Sequence, residues 1–261
     1  MKIKFFKNSM LITTVVIYIL FCGFLFLMQK SIIYYPDNQD FEQCAGFRDY
    51  EKINYNGTRF YLKKGSVDKV IAYYHGNASS ACDRSFCKSS FEQSKASIIF
   101  VEYAGYSNDN KKPSKKLILK DVQNVVNYIQ EKSFKDVVVY GQSIGSGAAS
   151  YHAYIGKVDS LILVTPFSSL ADVAQSKYKI FPVKLLLTEN YNNVKWLQGY
   201  KGKLVILHGD NDSIVPHKFS QKLFDKVFTL DKEYVLIKGV GHNDIWMSEE
   251  FVKRVEELCK G

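Results

Sequence analysis

The sequence predicts an α/β domain with a mostly parallel sheet and helices on both faces, preceded by one N-terminal transmembrane helix. Short apolar runs alternate with helical patterns along most of the chain. This alternation is typical of parallel sheets covered on both sides. Residues 10–28 are apolar and carry no charge. The remaining length and the 46% hydrophobic composition suit one domain that needs no metal or disulfide to be stable.

The N-terminal region divides into a basic flank, residues 1–9, and the apolar run, residues 10–28. At ~1.5 Å per residue, this run is just long enough to cross the hydrocarbon core of a bilayer. A cleaved signal peptide is the alternative. The run is longer than the apolar core of a usual signal peptide, and no small-x-small cleavage site follows it. We therefore predict an uncleaved membrane anchor.

The distribution of lysines around the anchor predicts its orientation. Lys2, Lys4 and Lys7 precede the run, and Lys30 alone follows it closely. By the positive-inside rule, the N-terminus is expected in the cytoplasm. Residues 29–261, the predicted globular domain, are then expected on the far side of the membrane, which is the periplasm in a bacterium.

The net charge of +9 includes a cluster of lysines between residues 111 and 120. A solvated surface explains such a cluster, and attraction to anionic lipid headgroups is the alternative. No basic stripe interleaved with aromatic residues is present, so a nucleic-acid partner is not expected. No Cys-His cluster has the spacing of a metal site, so neither a metal nor another cofactor is expected.

The cysteines number five, and one of them, Cys22, lies in the apolar run. An odd count of this kind does not indicate a disulfide framework. Cys82 and Cys87 lie in a predicted helix, where their spacing is too wide for easy bridging. We therefore expect mostly free thiols.

The predicted strands are short apolar runs, several of them continuous, as in a sheet buried on both faces. They cover residues 59–63, 69–74, 97–102, 136–140, 158–164, 203–208 and 233–238. One predicted helix has an apolar stripe formed by Ile118, Val122, Val125 and Ile129. The predicted helices cover residues 79–94, 114–132, 144–155, 217–227 and 246–259.

The sequence Gly141-Gln142-Ser143-Ile144-Gly145 follows one of these strands and opens a helix. In that position the G-x-S-x-G pattern predicts a nucleophile elbow, a tight turn that exposes the serine hydroxyl. A glycine-rich turn without chemistry is the alternative. Ser143 is therefore the candidate nucleophile.

A serine nucleophile needs a base, and His242 lies in a glycine-rich loop after the last predicted strand. His75 and His208 also end strands, but they are better explained as hydrogen-bonded residues that shape the site. The acid that orients His242 is expected after the strand 203–208, where Asp210 and Asp212 both qualify.

The order Ser, Asp, His along the chain is that of an α/β-hydrolase, and of neither major serine-protease fold. Such enzymes also need an oxyanion hole. We expect its two donors to be the backbone N–H groups of Ile144, directly after the nucleophile, and of Asn77, in the loop after an early strand.

Seven motifs between residues 32 and 244 strengthen this prediction: IIYYP, YYHGNAS, EYAGYS, GQSIGSG, TPFSSL, HGDNDSIVP and GVGHND. Together they resemble the membrane-anchored serine hydrolase branch of the α/β-hydrolase superfamily, which includes protein depalmitoylases and many bacterial members. The resemblance implies that Asp212, rather than Asp210, is the acid. One departure is Ala104, where the family usually has arginine, followed by residues 107–110 in place of glycines. Because this loop borders the site in the family, the departure weakens the carry-over of the family's substrates to this chain.

These residues predict a serine hydrolase that cleaves a carboxylic ester or thioester through an acyl-enzyme on Ser143. A lipid and an acylated protein are both candidate substrates. A serine peptidase of the same fold and a non-catalytic scaffold remain as alternatives. The segment from Thr165 to Lys203 is only long enough for a helix or two, so a small lid over an open cleft is expected.

Overall fold

The computed structural model describes residues 2–78 and 80–260, although for residues 2–8 it describes only the backbone. The strands are β1 (Glu51–Tyr55), β2 (Thr58–Lys63), β3 (Ser66–Tyr74), β4 (Ala96–Glu102), β5 (Asp136–Gln142), β6 (Ser160–Val164), β7 (Lys203–Gly209) and β8 (Lys232–Ile237). They form one eight-stranded sheet in the order β1-β2-β4-β3-β5-β6-β7-β8. β2 runs antiparallel to both of its neighbours, and the other six strands, β3 to β8, are mutually parallel where they pair. The edge strand β1 pairs only with β2.

The helices are α1 (Lys2–Ile33), α2 (Lys88–Glu92), α3 (Lys115–Glu131), α4 (Gly145–Ile155), α5 (Leu170–Lys177), α6 (Val183–Leu186), α7 (Asn193–Trp196), α8 (Lys218–Lys226) and α9 (Glu249–Lys260). Short 3₁₀ turns occur at Ala45–Phe47, Cys82–Cys87 and Ile245–Met247. Apolar side chains of α3, α4 and α8 pack on one face of the sheet, and those of α2 and α9 pack on the other. The predicted α/β architecture with helices on both faces is confirmed.

The central strands are continuous apolar runs in the sequence because their side chains are buried on both faces of the sheet. Every residue of β4 is buried, and so is all of β5 except its first residue. A parallel strand covered by helices on both faces has no solvated side on which polar residues are tolerated. All seven predicted strands are present with shifts of a few residues at their ends.

The edge strand β1 was not predicted. Its sequence, EKINY, is mostly polar and its side chains are exposed or half-buried. It pairs with β2 through a two-residue turn at Asn56 and Gly57, whose φ angles are 52° and 83°. An Asn-Gly pair is a strong hairpin signal because both positions require a positive φ, so this turn was the signal that could have revealed the strand.

The region predicted as a helix over residues 79–94 is instead a 3₁₀ turn followed by the short helix α2. Ser79, its first residue, lies outside the described residues. The structure also contains one disulfide that was not predicted, between Cys44 and Cys82, whose Cα atoms lie 5.8 Å apart. The two cysteines are 38 residues apart, so no local sequence pattern indicated that they pair. Cys22, Cys87 and Cys259 are free, as expected.

Helix α1 contains a segment, Ser9–Ile33, that is long and apolar enough to cross a membrane. Its end is attached to the domain. The Gln29 Oε1 atom accepts hydrogen bonds from the backbone N–H groups of Thr188 (2.9 Å) and Glu189 (3.2 Å). The Tyr34 hydroxyl donates to Glu189 at 2.7 Å. The lysine side chains of the predicted basic flank lie outside the described residues.

The connection between β6 and β7 carries the three short helices α5, α6 and α7. This connection is the predicted small lid. The residues bonded to Gln29 and Tyr34 lie within it, so the lid lies against the end of α1.

Candidate active site

Ser143 lies at the turn between β5 and α4, with a φ angle of 54°. This left-handed conformation is strained for a residue with a side chain, and strain of this kind concentrates at functional sites. Its backbone N–H donates to the carbonyl of Val164 at 2.9 Å, which holds the turn against β6.

The two glycines of the elbow are required by close packing. A Cβ atom on Gly141 would lie 2.5 Å from the Cβ of Ala149, and one on Gly145 would lie 2.3 Å from the carbonyl oxygen of Tyr74. No side chain is tolerated at such distances. The glycines therefore let α4 approach β3 and β5 closely, and Ser143 is left at the tip of the turn.

Three sequence-predicted residues come together above the carboxyl ends of the strands. The Nε2 atom of His242 lies 2.9 Å from the Oγ atom of Ser143, and its Nδ1 atom lies 2.6 Å from Oδ2 of Asp212. The Asp212 side chain is fully buried, and that of His242 is 8% exposed. The arrangement is a continuous hydrogen-bonded chain from an accessible hydroxyl to a buried carboxylate.

Asp212 is held as a carboxylate by its surroundings. Burial opposes its ionisation, but hydrogen bonds from His208 and His242 outweigh that effect, and the pKa of Asp212 lies far below its ordinary value. The backbone N–H groups of Ile214 and Val215 also donate to its Oδ1 atom, at 2.9 and 2.7 Å. A carboxylate accepting several such bonds stays charged.

His208 is a second partner of the acid. Its Nε2 atom lies 3.0 Å from Oδ2 of Asp212 and 2.8 Å from the carbonyl of Val215. Asp210, the other candidate acid, instead accepts a bond from the backbone N–H of Gly239 at 2.8 Å. Of the two aspartates, Asp212 contacts His242.

The expected oxyanion donors lie beside the nucleophile. Ile144 directly follows Ser143 and is the N-cap residue of α4. A Cβ atom on Gly76 would lie 3.5 Å from the Cβ of Ser143, so the loop carrying Asn77 passes next to the nucleophile. Among the described residues, neither backbone N–H of Asn77 or Ile144 has an acceptor. Both groups are free to bind an oxygen atom in the cleft.

The Asn77 side chain fixes this loop to the end of α1, a role that the sequence did not indicate. Its Oδ1 atom accepts from the Tyr106 hydroxyl at 2.9 Å and from the backbone N–H of Tyr35 at 3.1 Å. Its Nδ2 atom donates to the carbonyl of Ile33. Helix α1 and the candidate oxyanion loop are thus joined by one side chain.

His75 supports the same loop from below. It is fully buried, stacks on Tyr103 with ring centroids 4.1 Å apart, and its Nδ1 atom lies 2.7 Å from the carbonyl of Gly76. Its Nε2 atom lies 3.4 Å from the buried carboxylate of Glu102. None of these contacts is with Ser143.

The cleft above Ser143 has a volume of ≈ 640 Å³. Its walls are largely apolar and include Phe86, Phe167, Ile214 and Trp246. A mostly apolar cleft with a few polar groups at one end is the usual form of a small-molecule site. No group of three or more potential metal ligands occurs among residues 2–78 and 80–260.

The parallel sheet and the serine elbow define the class by its fold: the chain has the α/β-hydrolase fold, and it is similar to proteins described as α/β hydrolases. No family model matches it. Its relatives include an uncharacterized protein of Mycobacterium tuberculosis, 25% identical over 233 residues that cover 85% of this chain and 83% of the relative. A putative α/β hydrolase of Acanthamoeba polyphaga mimivirus is 25% identical, with 80% and 86% covered.

The human α/β hydrolase domain-containing protein 17B is 23% identical, with 72% of this chain and 65% of the relative covered. Solved structures agree on the fold. An esterase of Pyrococcus furiosus superposes with a TM-score of 0.67 at 15% identity, covering 87% of this chain and 97% of its own. A monoacylglycerol lipase of Paleococcus ferrophilus gives 0.60 at 16% identity, covering 78% and 98%.

Proposed function

We propose that this hydrolase cleaves a carboxylic ester or thioester, with Ser143 as nucleophile, His242 as base and Asp212 as the orienting acid. The observation that carries the proposal is the unbroken hydrogen-bonded chain of these three side chains. A non-catalytic scaffold does not require a strained serine that is hydrogen-bonded to a histidine, which is in turn bonded to a buried carboxylate. The named esterases and lipase among the structural neighbours support ester chemistry.

In the first step, the Ser143 oxygen attacks the substrate carbonyl carbon while Nε2 of His242 takes the hydroxyl proton. The carbonyl oxygen becomes an oxyanion, and the backbone N–H groups of Asn77 and Ile144 donate to it. The Asp212 carboxylate stabilises the imidazolium. Collapse of the intermediate breaks the bond to the leaving alkoxide or thiolate, which receives the proton from His242.

In the second step, His242 removes a proton from water, and the hydroxide attacks the acyl carbon on Ser143. The second tetrahedral intermediate uses the same two N–H donors. Its collapse breaks the bond to Ser143, returns the proton to the serine oxygen and releases the carboxylic acid.

We also propose that α1 anchors the enzyme in a membrane with the domain on the non-cytoplasmic side. The lysines before the apolar run support this orientation by the positive-inside rule. The disulfide between Cys44 and Cys82 supports it independently, because such bonds persist in oxidising compartments and are rare in the cytosol.

The reaction is tested by pre-steady-state turnover of p-nitrophenyl acetate, followed by a panel of acyl-matched ester, thioester and peptide anilide substrates. We expect a burst equal to the enzyme concentration if deacylation is slower than acylation, and no turnover by Ser143→Ala or His242→Ala. The matched control is Ser150→Ala, because the buried Ser150 hydroxyl makes no hydrogen bond to the described residues. Faster cleavage of the anilide than of the ester would favour a peptidase instead.

A further inference from the structure

A second apolar cavity lies between α1 and the lid tip, residues 178–187, and has a volume of ≈ 270 Å³. We call it the anchor cavity. One wall consists of Phe21, Leu25 and Phe26 of the membrane helix. The opposite wall consists of Phe181, Val183 and Leu186 of the lid tip. The cavity therefore exists only because the membrane helix packs on the hydrolase domain.

The anchor cavity adjoins the cleft that contains Ser143. Five residues line both spaces: Ile32, Ile33, Ala174, Tyr178 and Leu187. The cleft holds the polar groups of the candidate active site, whereas the lining of the anchor cavity is aromatic and aliphatic except for Gln29. A long apolar group attached to a carbonyl matches this distribution.

The anchor cavity lies beside the apolar run of α1. The Tyr18 hydroxyl donates to the carbonyl of Ile180 at 2.7 Å, and the Tyr18 and Phe181 rings stack with centroids 5.8 Å apart. At a rise of ~1.5 Å per residue, Tyr18 lies ~22 Å along the helix from Ile33, within a hydrocarbon core that is ~30 Å thick. The lid tip thus extends well down the membrane-spanning segment.

The surface of the lid tip suits this position. Ile180 and Leu185 are 75% and 85% exposed, although both are apolar. Side chains of this kind are stabilised by contact with lipid tails. Lys179 and Lys184 lie beside them in sequence and are also exposed, and Lys184 is paired with Asp172 at 3.2 Å.

Resting on the hydrolase function proposed above, we propose that the anchor cavity binds the acyl chain of a lipid ester dissolved in the same bilayer. The acyl chain of the lipid enters between α1 and the lid tip, and it keeps the orientation that it has in the membrane. Its carbonyl then reaches Ser143 at the polar end of the cleft. The cleft volume of ≈ 640 Å³ lies in the range of small-molecule sites. Because the apolar helix α1 forms one wall of the anchor cavity, we take the source of the acyl chain to be a lipid of the same bilayer rather than an acylated protein.

The test uses the full chain reconstituted in phosphatidylcholine vesicles, with Leu186→Trp to fill the anchor cavity. Leu185→Trp is the matched control, because Leu185 is adjacent in sequence, exposed, and lines neither space. Two probes are compared, p-nitrophenyl acetate and p-nitrophenyl palmitate. We expect Leu186→Trp to lower kcat/KM for the palmitate ~tenfold or more and to leave the acetate rate unchanged. Leu185→Trp should change neither rate.

If Leu186→Trp keeps the wild-type rate for both the acetate and the palmitate ester, the proposal is overturned. If that variant fails to fold, photo-crosslinking of a diazirine-labelled palmitate ester to Ser143→Ala provides an independent readout. Crosslinks at Phe21, Leu25 or Leu186 support the proposal, and crosslinks confined to Ile180 and Leu185 contradict it. If an S-palmitoylated peptide is cleaved faster than the palmitate ester, the substrate is an acylated protein. That result would overturn the proposal that the acyl chain comes from a lipid. Failure of the wild type to cleave either ester would instead refute the hydrolase function itself.

Discussion

Replacement of Asp212 by asparagine tests the assignment of the acid with little change in side-chain size. The carboxylate accepts bonds from four donors: His242, His208 and the backbone N–H groups of Ile214 and Val215. An asparagine oxygen can keep the two backbone bonds. Its amide group then faces the imidazoles and donates to Nδ1 of His242 rather than accepting from it. The proton of that ring moves to Nε2, which can no longer take the proton of the Ser143 hydroxyl.

The expected cost follows from this tautomer change. Loss of the orienting carboxylate in a serine triad lowers kcat by about 10⁴-fold. At 1.36 kcal/mol per tenfold, this equals about 5.4 kcal/mol of transition-state stabilisation. The matched variant Asp210→Asn loses only an acceptor for the backbone N–H of Gly239 on the exterior of the site. We expect its kcat to stay within about threefold of wild type, because exposed hydrogen bonds contribute little.

The assay is steady-state hydrolysis of p-nitrophenyl butyrate, with circular dichroism and thermal unfolding to confirm that both variants fold. The pH dependence of unfolding adds a second readout. Because the pKa of Asp212 is depressed in the folded protein, its contribution to stability is present above about pH 4, the unfolded value, and is lost as the pH falls toward the folded value. The stability gap between wild type and Asp212→Asn should therefore narrow below pH 4. An Asp210→Asn defect larger than that of Asp212→Asn would refute the assignment.

Three further predictions address the anchor, the disulfide and the elbow. The full chain should resist alkaline carbonate extraction, whereas a chain beginning at Tyr34 should leave the membrane fraction; release of the full chain by salt alone would contradict a spanning helix. Cys44→Ser should lower the free energy of unfolding by about 4 kcal/mol, because a disulfide across 38 residues restricts the entropy of the unfolded chain. Thiol titration of the unfolded, unreduced wild type should give three thiols rather than five. Gly145→Ala should abolish turnover, because its Cβ would lie 2.3 Å from a carbonyl oxygen of β3, whereas Gly199→Ala, with open space around it, should match the wild-type rate.

The candidate site was largely predictable because the fold converts sequence order into proximity. Ser143, Asp212 and His242 each follow a different parallel strand, β5, β7 and β8. The carboxyl ends of parallel strands meet at one edge of the sheet, so residues placed directly after them converge. Correct placement of the strands was therefore enough to bring these three side chains together.

The features that were missed depend on contacts that local patterns do not encode. The polar strand β1 has no apolar period of its own, and only its hairpin turn marks it. The pairing of Cys44 with Cys82 requires the segment before β1 to fold back on the loop after β3. The contacts of Asn77 with the end of α1 join segments that are distant in sequence. Periodicity reports which face of an element is buried, but not what covers it.

The central claim is that Ser143 is an activated nucleophile, and fluorophosphonate labelling tests it most directly. The folded wild type should react at pH 8 with one equivalent of probe, and peptide mapping should place the label on Ser143. Ser143→Ala should not label, and Ser150→Ala should label at the wild-type rate. His242→Ala should label far more slowly, because the hydroxyl then keeps its proton. Folded wild type that remains unlabelled between pH 6 and 9, or a label on another serine, would contradict the account.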